Sequence, residues 1–323
     1  MARTQTKKIY WHLPIALLTM LGAVWAIPAL FGSAVLPTVR LKAQGVTMIL
    51  TVALSLYTLI LAERMVNARR HAPLRRFYWR FFSIIFITQF LLGLFISSAW
   101  LLTGDPTLPH PFFLYFRPLT SATGTHQLFV WLLSMLLLGP AFCSHLCWLG
   151  AWDQFAARKK RKPTGTLSWP IRLFWAAAVI LAGLALLRFA PLRVAVSAGF
   201  LFCLVAVGTM VITSRKRGTM VHCTHYCPLG TITTIVARLS PFRIVKASGK
   251  RVNASLCDYG IFTDRTLGTG RLPLECTLCG DCLDRGSEHD LSMRFAWFKF
   301  NAWPLFIALT TGLHAAFFML LTP

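Results

Sequence analysis

Long apolar runs separated by short basic links dominate this chain. Leu13 to Leu36 is almost wholly apolar, and Gly45 to Ala62, Phe81 to Leu102, His126 to about Ala141, Ile171 to Leu187, Leu192 to Thr213 and Trp303 to Leu321 repeat the pattern. Runs near 20 residues match the hydrocarbon thickness of a bilayer, so these seven read as spanning helices. Pro28 and Gly32 give the first a weak point. It is too long for the apolar core of a secretory signal and lacks a convincing cleavage site. Thr231 to Leu239 is apolar but too short to cross, and reads as an interfacial or re-entrant helix.

Composition sharpens this picture. The chain is 56% hydrophobic and only 13% charged, which is membrane composition. A formal charge of +23 would suggest nucleic acid in a soluble protein, but here the cations hug the ends of the apolar runs, and nucleic-acid binding is not expected. Arg64 to Arg80 reads as one arginine-rich loop, and Arg158 to Lys162 and Arg215 to Arg217 as two more basic links. With a cytoplasmic N-terminus, every Lys and Arg except Arg40, Lys42, Arg117, Arg188 and Arg193 falls on the cytoplasmic side, and the C-terminus falls outside. The expected location is a bacterial inner membrane, with membrane lipid as the surrounding partner. Asp258, Asp264, Glu275, Asp281, Asp284, Glu288 and Asp290 hold most of the ten acidic residues, so this segment reads as a water-exposed domain.

Eight of the nine cysteines form two sets of four. Cys203 stands alone in an apolar run and reads as a small hydrophobe. Cys276, Cys279 and Cys282 form a C-x2-C-x2-C run that suits one side of a [4Fe-4S] cubane, with Cys257 upstream as the fourth ligand. The slots for a second ferredoxin cluster hold Ala247, Lys250, Asn253 and Gly286, so the segment is half of a bacterial ferredoxin. A structural zinc site is the alternative for four thiolates. Disulfides fit poorly with a reducing compartment.

The other set lies in two matching signatures about eighty residues apart, Phe142-Cys143-Ser144-His145-Leu146-Cys147-Trp148-Leu149-Gly150 and His222-Cys223-Thr224-His225-Tyr226-Cys227-Pro228-Leu229-Gly230. Each sits at the end of an apolar run, as in an internal repeat that builds a site on a pseudo-twofold axis. Cysteines at i and i+4 share a helix face, so Cys143, Cys147, Cys223 and Cys227 are expected to meet around one metal centre. His145 and His225 are expected to point away from it. A second iron-sulfur centre of open nuclearity, a thiol pair for redox or copper chemistry, and inert packing are the three readings of this set. Haem is not expected, because only His126 and His314 lie in apolar runs. His110, His126, Asp105 and Arg117 form a possible quinone head-group site, although a solvated loop accounts for them as well.

With these residues in place, the chain resembles the membrane polyferredoxin-like family. That family includes the quinol-dehydrogenase membrane subunit of periplasmic nitrate reductase, the membrane regulator of nitrous-oxide reductase, the ferredoxin-type protein of methylamine utilisation and a copper-handling accessory protein of oxidases. Cys223, Cys227 and Pro228 match its C-x3-C-P signature fully, and Cys143 and Cys147 match with Trp148 in place of proline. The resemblance implies electron transfer between the quinone pool or a cytoplasmic donor and other redox subunits of a membrane complex.

The resulting expectation is an all-α polytopic membrane protein with a small cytoplasmic half-ferredoxin segment. Its divisions are 1–125 for the first three spans, 126–240 for the paired hairpin repeat, 241–300 for the ferredoxin-like segment and 301–323 for the last span. An accessory factor that reduces a metal or thiol for a partner metalloenzyme is the alternative function. No stand-alone catalytic residues are expected, because no substrate pocket is recognisable in the sequence.

Overall fold

The computed structural model describes residues 10–26, 44–97, 125–158, 169–246, 257, 262, 276–285, 291–296, 298 and 300–321. The second half of the first apolar run, the loop at 103–124 with Asp105, His110 and Arg117, the basic run at 159–162 and the slots at Ala247, Lys250, Asn253 and Gly286 lie outside these residues.

The described elements in chain order are α1 (His12–Leu21), α2 (Gln44–Val66), α3 (Ala68–Phe95), α4 (Thr125–Leu138), α5 (Ala141–His145), α6 (Trp148–Ala157), α7 (Trp169–Phe189), α8 (Leu192–Thr209), α9 (Pro228–Val236), β1 (Phe242–Lys246), α10 (Asp281–Arg285), β2 (Leu291–Phe295) and α11 (Trp303–Leu321). Among the described residues, three helical segments are long and apolar enough to cross a membrane: Met48–Val66, Trp169–Phe189 and Ser197–Arg217. Shorter apolar helices cover His12–Ala26, Phe129–Leu138 and Trp303–Phe318, at three of the seven expected spans. Most residues of the three long segments face outward, with Phe174, Leu181 and Phe189 exposed on α7 and Leu201, Leu204 and Val205 on α8. Apolar side chains left this bare on two helices suit a lipid surround.

One bundle forms where α11 packs along α1 and α2. Small residues let these backbones approach: Ala16, Ala62 and Ala308 are fully buried, and a Cβ on Gly312 would stand 2.8 Å from Thr19 Cβ. Along the other side, α3 packs on both α6 and α10, and so reaches both cysteine sets.

Two expectations are corrected here. The arginine-rich stretch is not a loop: α3 begins at Ala68 and runs through Pro73 and the arginines to Phe95. Helix continues because Arg75 and Trp79 spend their polar groups inside the protein, as shown below, so the segment gains more by packing than by solvation. The chain is also not purely helical. β1 and β2 pair antiparallel, with Phe242 opposite Phe295 and Lys246 opposite Leu291, and this ladder closes the segment that carries the last four cysteines. Phe242 and Ile244 of β1 and Leu291 and Met293 of β2 are buried, the alternation of a one-sided sheet.

Candidate metal centres

The two signatures adopt the same backbone turn. In the first, Cys143 sits in α5, and the Cys147 amide donates to the Phe142 carbonyl at 3.0 Å. In the second, Cys223 sits in the π-helical turn His222–Tyr226, and the Cys227 amide donates to the His222 carbonyl at 2.8 Å. Both bonds span five residues. Cys147 (φ −72°, ψ 117°) and Cys227 (φ −73°, ψ 121°) then leave helical space together, and each begins a new helix, α6 and α9. The two cysteines of a pair therefore do not stack on one helix face, as their spacing suggested. A helix break lies between them, and the second cysteine occupies the N-terminus of the helix that follows.

That position matters for the sulfur. The first amides of a helix lack intrahelical acceptors and carry partial positive charge. Burial pushes the Cys147 thiol up to about 11, and the amides of Gly150 and Leu149 pull against it. For Cys227 burial and the neighbouring Cys147 push the thiol up to about 12, while Gly230 and Leu229 oppose them. Burial likewise raises Cys143 and Cys223.

Gly150 and Gly230 are the equivalent third residues of α6 and α9. A Cβ on either would collide with the carbonyl oxygen of the first cysteine of its own signature, Cys143 or Cys223. The repeated Leu-Gly of the sequence is thus a close-approach requirement.

The repeats also reach across to each other. Asp153 on α6 accepts the Cys223 amide at 2.9 Å, and Thr233 on α9, its counterpart in the second repeat, lies 3.4 Å from Cys143 Sγ. Burial raises Asp153 to about 6, against the Ser214 hydroxyl and the Cys223 amide. This swap brings Cys143, Cys147, Cys223 and Cys227 near enough to raise one another's pKa. The two repeats thus contact each other's first cysteine, through a carboxylate on one side and a hydroxyl on the other. Replacing Asp153 by Ala leaves the buried Cys223 amide without its acceptor. The expected cost is about 1–3 kcal/mol, read as a lowered thermal midpoint in detergent, with Asp153→Asn losing less.

His145 and His225 stay out of this site. Ser144 Oγ sits 2.8 Å from His145 Nδ1, and the His145 ring packs against Phe306 of α11. His225 Nδ1 pairs with the Thr224 hydroxyl at 2.7 Å.

The second set lies against α3. Cys279 and Cys282 are buried, and Cys257 and Cys276 are half-buried. Leu278 (φ 49°) and Gly280 (φ 78°) both take left-handed backbone between Cys276 and Cys282. Alternation of this kind turns successive amides inward and forms the anion-receiving nests used around iron-sulfur sites. Burial pushes Cys279 and Cys282 well up, and Cys257 adds to both.

One acid of this segment, Asp281, is not exposed as the acidic composition suggested. Asp281 is fully buried and takes a two-pronged ion pair from Arg75, with Nε to Oδ1 at 3.1 Å and Nη2 to Oδ2 at 2.9 Å. Arg76 adds a contact at 3.3 Å. Burial alone would raise the Asp281 carboxyl, but Arg75, His71 and Arg76 together hold it below the usual carboxylate range.

Four residues on one face of α3 join the two sets. His71 Nε2 lies 2.9 Å from the Cys279 carbonyl oxygen. Arg75 Nη1 donates to the Ser144 carbonyl at 2.6 Å, and Ser144 Oγ donates to the Thr277 carbonyl at 2.8 Å. Trp79 Nε1 donates to the Cys147 carbonyl at 2.8 Å, and Ser83 Oγ to the Trp148 carbonyl at 3.1 Å. Spacing of four puts all of them on one stripe. That periodicity was the only sequence signal for them, and it is hidden among arginines that look like a solvated link.

The donor chemistry fits a metal cluster. Buried thiols facing one another resist ionisation unless a cation accompanies them, and bound metal deprotonates a coordinating thiol outright. Among the described residues, no three His, Cys, Asp or Glu side chains form a group suited to a metal ion. A [4Fe-4S] cluster takes four thiolates in total, so they need not close on one atom.

The family model for a 4Fe-4S binding domain matches this chain at residues 127–164 and 198–246. The first stretch carries Cys143 and Cys147 and the second Cys223 and Cys227, so the match falls on the paired signatures. The C-terminal run lies outside both stretches. Nothing matches among the curated proteins, and nothing among the solved structures.

Proposed function

We propose that this chain is a membrane-embedded electron-transfer subunit with two iron-sulfur centres, one held by Cys143, Cys147, Cys223 and Cys227 and one by Cys257, Cys276, Cys279 and Cys282. The observation that carries the reading is the pair of matching cysteine turns within a match to a 4Fe-4S binding domain, tied through α3 to the second cysteine set. Such clusters supply one-electron chemistry when bound. The chain's own residues hold the sulfurs in dry surroundings and aim the amides of Leu149, Gly150, Leu229 and Gly230 at two of them. They also pin both cysteine sets against α3.

In this reading the centres pass electrons between the quinone pool or a cytoplasmic donor and other subunits of a redox complex in a bacterial inner membrane. Its topology is seven spans, with the N-terminus and both centres cytoplasmic. The accessory-factor reading would use Cys143, Cys147, Cys223 and Cys227 as redox thiols. The C-x3-C turns favour a cluster over exchangeable thiols because all four sulfurs are buried.

Iron and acid-labile sulfide in anaerobically purified protein test this. Cys227→Ser and Cys276→Ser are each expected to remove about half of the iron and sulfide, with additive loss in the double variant. Unchanged sulfide in Cys227→Ser would return the paired signatures to thiol chemistry.

A further inference from the structure

The two cysteine turns share one cation. Arg75 and Asp281 both have side chains only 1% exposed, and Asp281 stands between Cys279 and Cys282. The third arm of the same guanidinium grips the peptide of Ser144, which stands between Cys143 and Cys147. Its Cζ lies over the Trp79 ring, 5.2 Å from the centroid, so the indole covers that side of the cation. Arg76 brings a second positive charge to Asp281. Two cations against one carboxylate leave a net positive charge at this junction, beside sites whose thiolate-bound clusters are anionic and become more so on reduction. Net charge and hydrogen bonding are among the levers that set cluster potentials. In a buried site they act with little screening.

We infer that Arg75 is a shared potential-setting residue, its one guanidinium raising the reduction potential of both cysteine-held centres, while Asp281 and Arg76 act more strongly on the C-terminal centre, in whose turn Asp281 stands. The inference rests on the two-centre reading above and adds to it which side chains decide where an electron resides. Reduction here adds one electron from dithionite to a centre, with no bond made or broken in the protein. Arg75 acts as a positioning residue as well, since its three contacts fix the two turns relative to each other.

The test is an anaerobic potentiometric titration of the full-length protein in detergent, followed by EPR, in four variants. Arg75→Gln lowers both midpoints, the C-terminal one by at least tenfold in its redox equilibrium, about 59 mV for one electron. Arg75→Lys keeps the charge and stays closer to the unmodified protein than Arg75→Gln does. Asp281→Asn raises the C-terminal midpoint, and Arg76→Gln lowers it, with the paired centre moving in the same sense by a smaller amount. Opposite signs for Arg75→Gln and Asp281→Asn are the mark of charge, since mere loosening of the junction would drive both the same way.

Shifts of equal sign in those two variants overturn the inference, as does a paired centre that ignores Arg75→Gln. Should Arg75→Gln lose its clusters, the signs in Asp281→Asn and Arg76→Gln decide the matter. An unmodified protein without iron and sulfide overturns the two-centre reading itself. Clusters present with the wrong signs overturn only this inference.

Discussion

Gly230→Ala is expected to abolish the paired centre, and Gly150→Ala to do nearly the same. Alanine in place of a helical glycine ordinarily stabilises by about 0.5–1 kcal/mol. Here the added methyl meets the Cys223 carbonyl oxygen, with the Cys223 carbonyl carbon at 3.2 Å and Cys227 Cβ at 3.6 Å behind it. Those atoms belong to the turn that presents the sulfurs, so relief of the clash moves the ligands. At Gly150 the methyl meets the Cys143 carbonyl and, at 2.8 Å, the edge of Trp79. Overpacking costs about 1–3 kcal/mol and more where backbone must shift. The measurement is iron per protein together with the thermal midpoint. Gly208→Ala is the control, because nothing stands within 4 Å of its Cβ position, and it is expected to keep full iron content. If Gly230→Ala retains iron as Gly208→Ala does, the close-approach account of the repeated Leu-Gly is wrong.

Asp281→Ala is expected to destabilise the protein by about 3–5 kcal/mol, because removing one partner of a buried ion pair leaves the other charge uncompensated. Arg75 then loses both carboxylate contacts in a site that admits almost no water. Arg75→Met alone is expected to cost a similar amount. The double variant Arg75→Met/Asp281→Ala is expected to cost clearly less than the sum, since neither fully buried charge of the pair remains. Chemical denaturation in mild detergent, run as a double-mutant cycle, reads the coupling directly. Additive losses would mean that the two side chains do not act as a pair.

Much of the candidate site was legible before any coordinates. Thiol spacing is a local property, and C-x2-C-x2-C or C-x-H-x-C can be counted without knowing the fold. The duplication was visible too, because a repeated turn repeats its sequence. What the count could not show was the turn itself. A spacing of four suggests one helix face, yet Cys147 and Cys227 leave helical space, and only the following Leu-Gly hinted at a constraint. The swapped contacts of Asp153 and Thr233 were out of reach for a different reason. Aligning the two repeats pairs these residues, but nothing in that alignment says that each side chain crosses to the opposite cysteine.

The arginine-rich stretch shows the same division. Six arginines between two apolar runs read as a solvated basic loop, since charge near a span end is commonly a topology signal. Helix α3 instead buries Arg75 fully, because a carboxylate 206 residues later meets it with both oxygens. Charge alone could not distinguish Arg75 from its neighbours, and Asp281 looked like one more acid on an exposed segment.

The sequence by itself determined the apolar runs, the C-x2-C-x2-C run and the duplicated C-x-H-x-C signature, because each depends on residues within a few positions of one another. Tertiary structure alone decided which polar residues sit inside, that α3 ties both sulfur sets together, and that β1 and β2 close the last segment. Those outcomes depend on partners far apart in the chain, and burial of a charge or an amide is tolerated only where such a partner arrives.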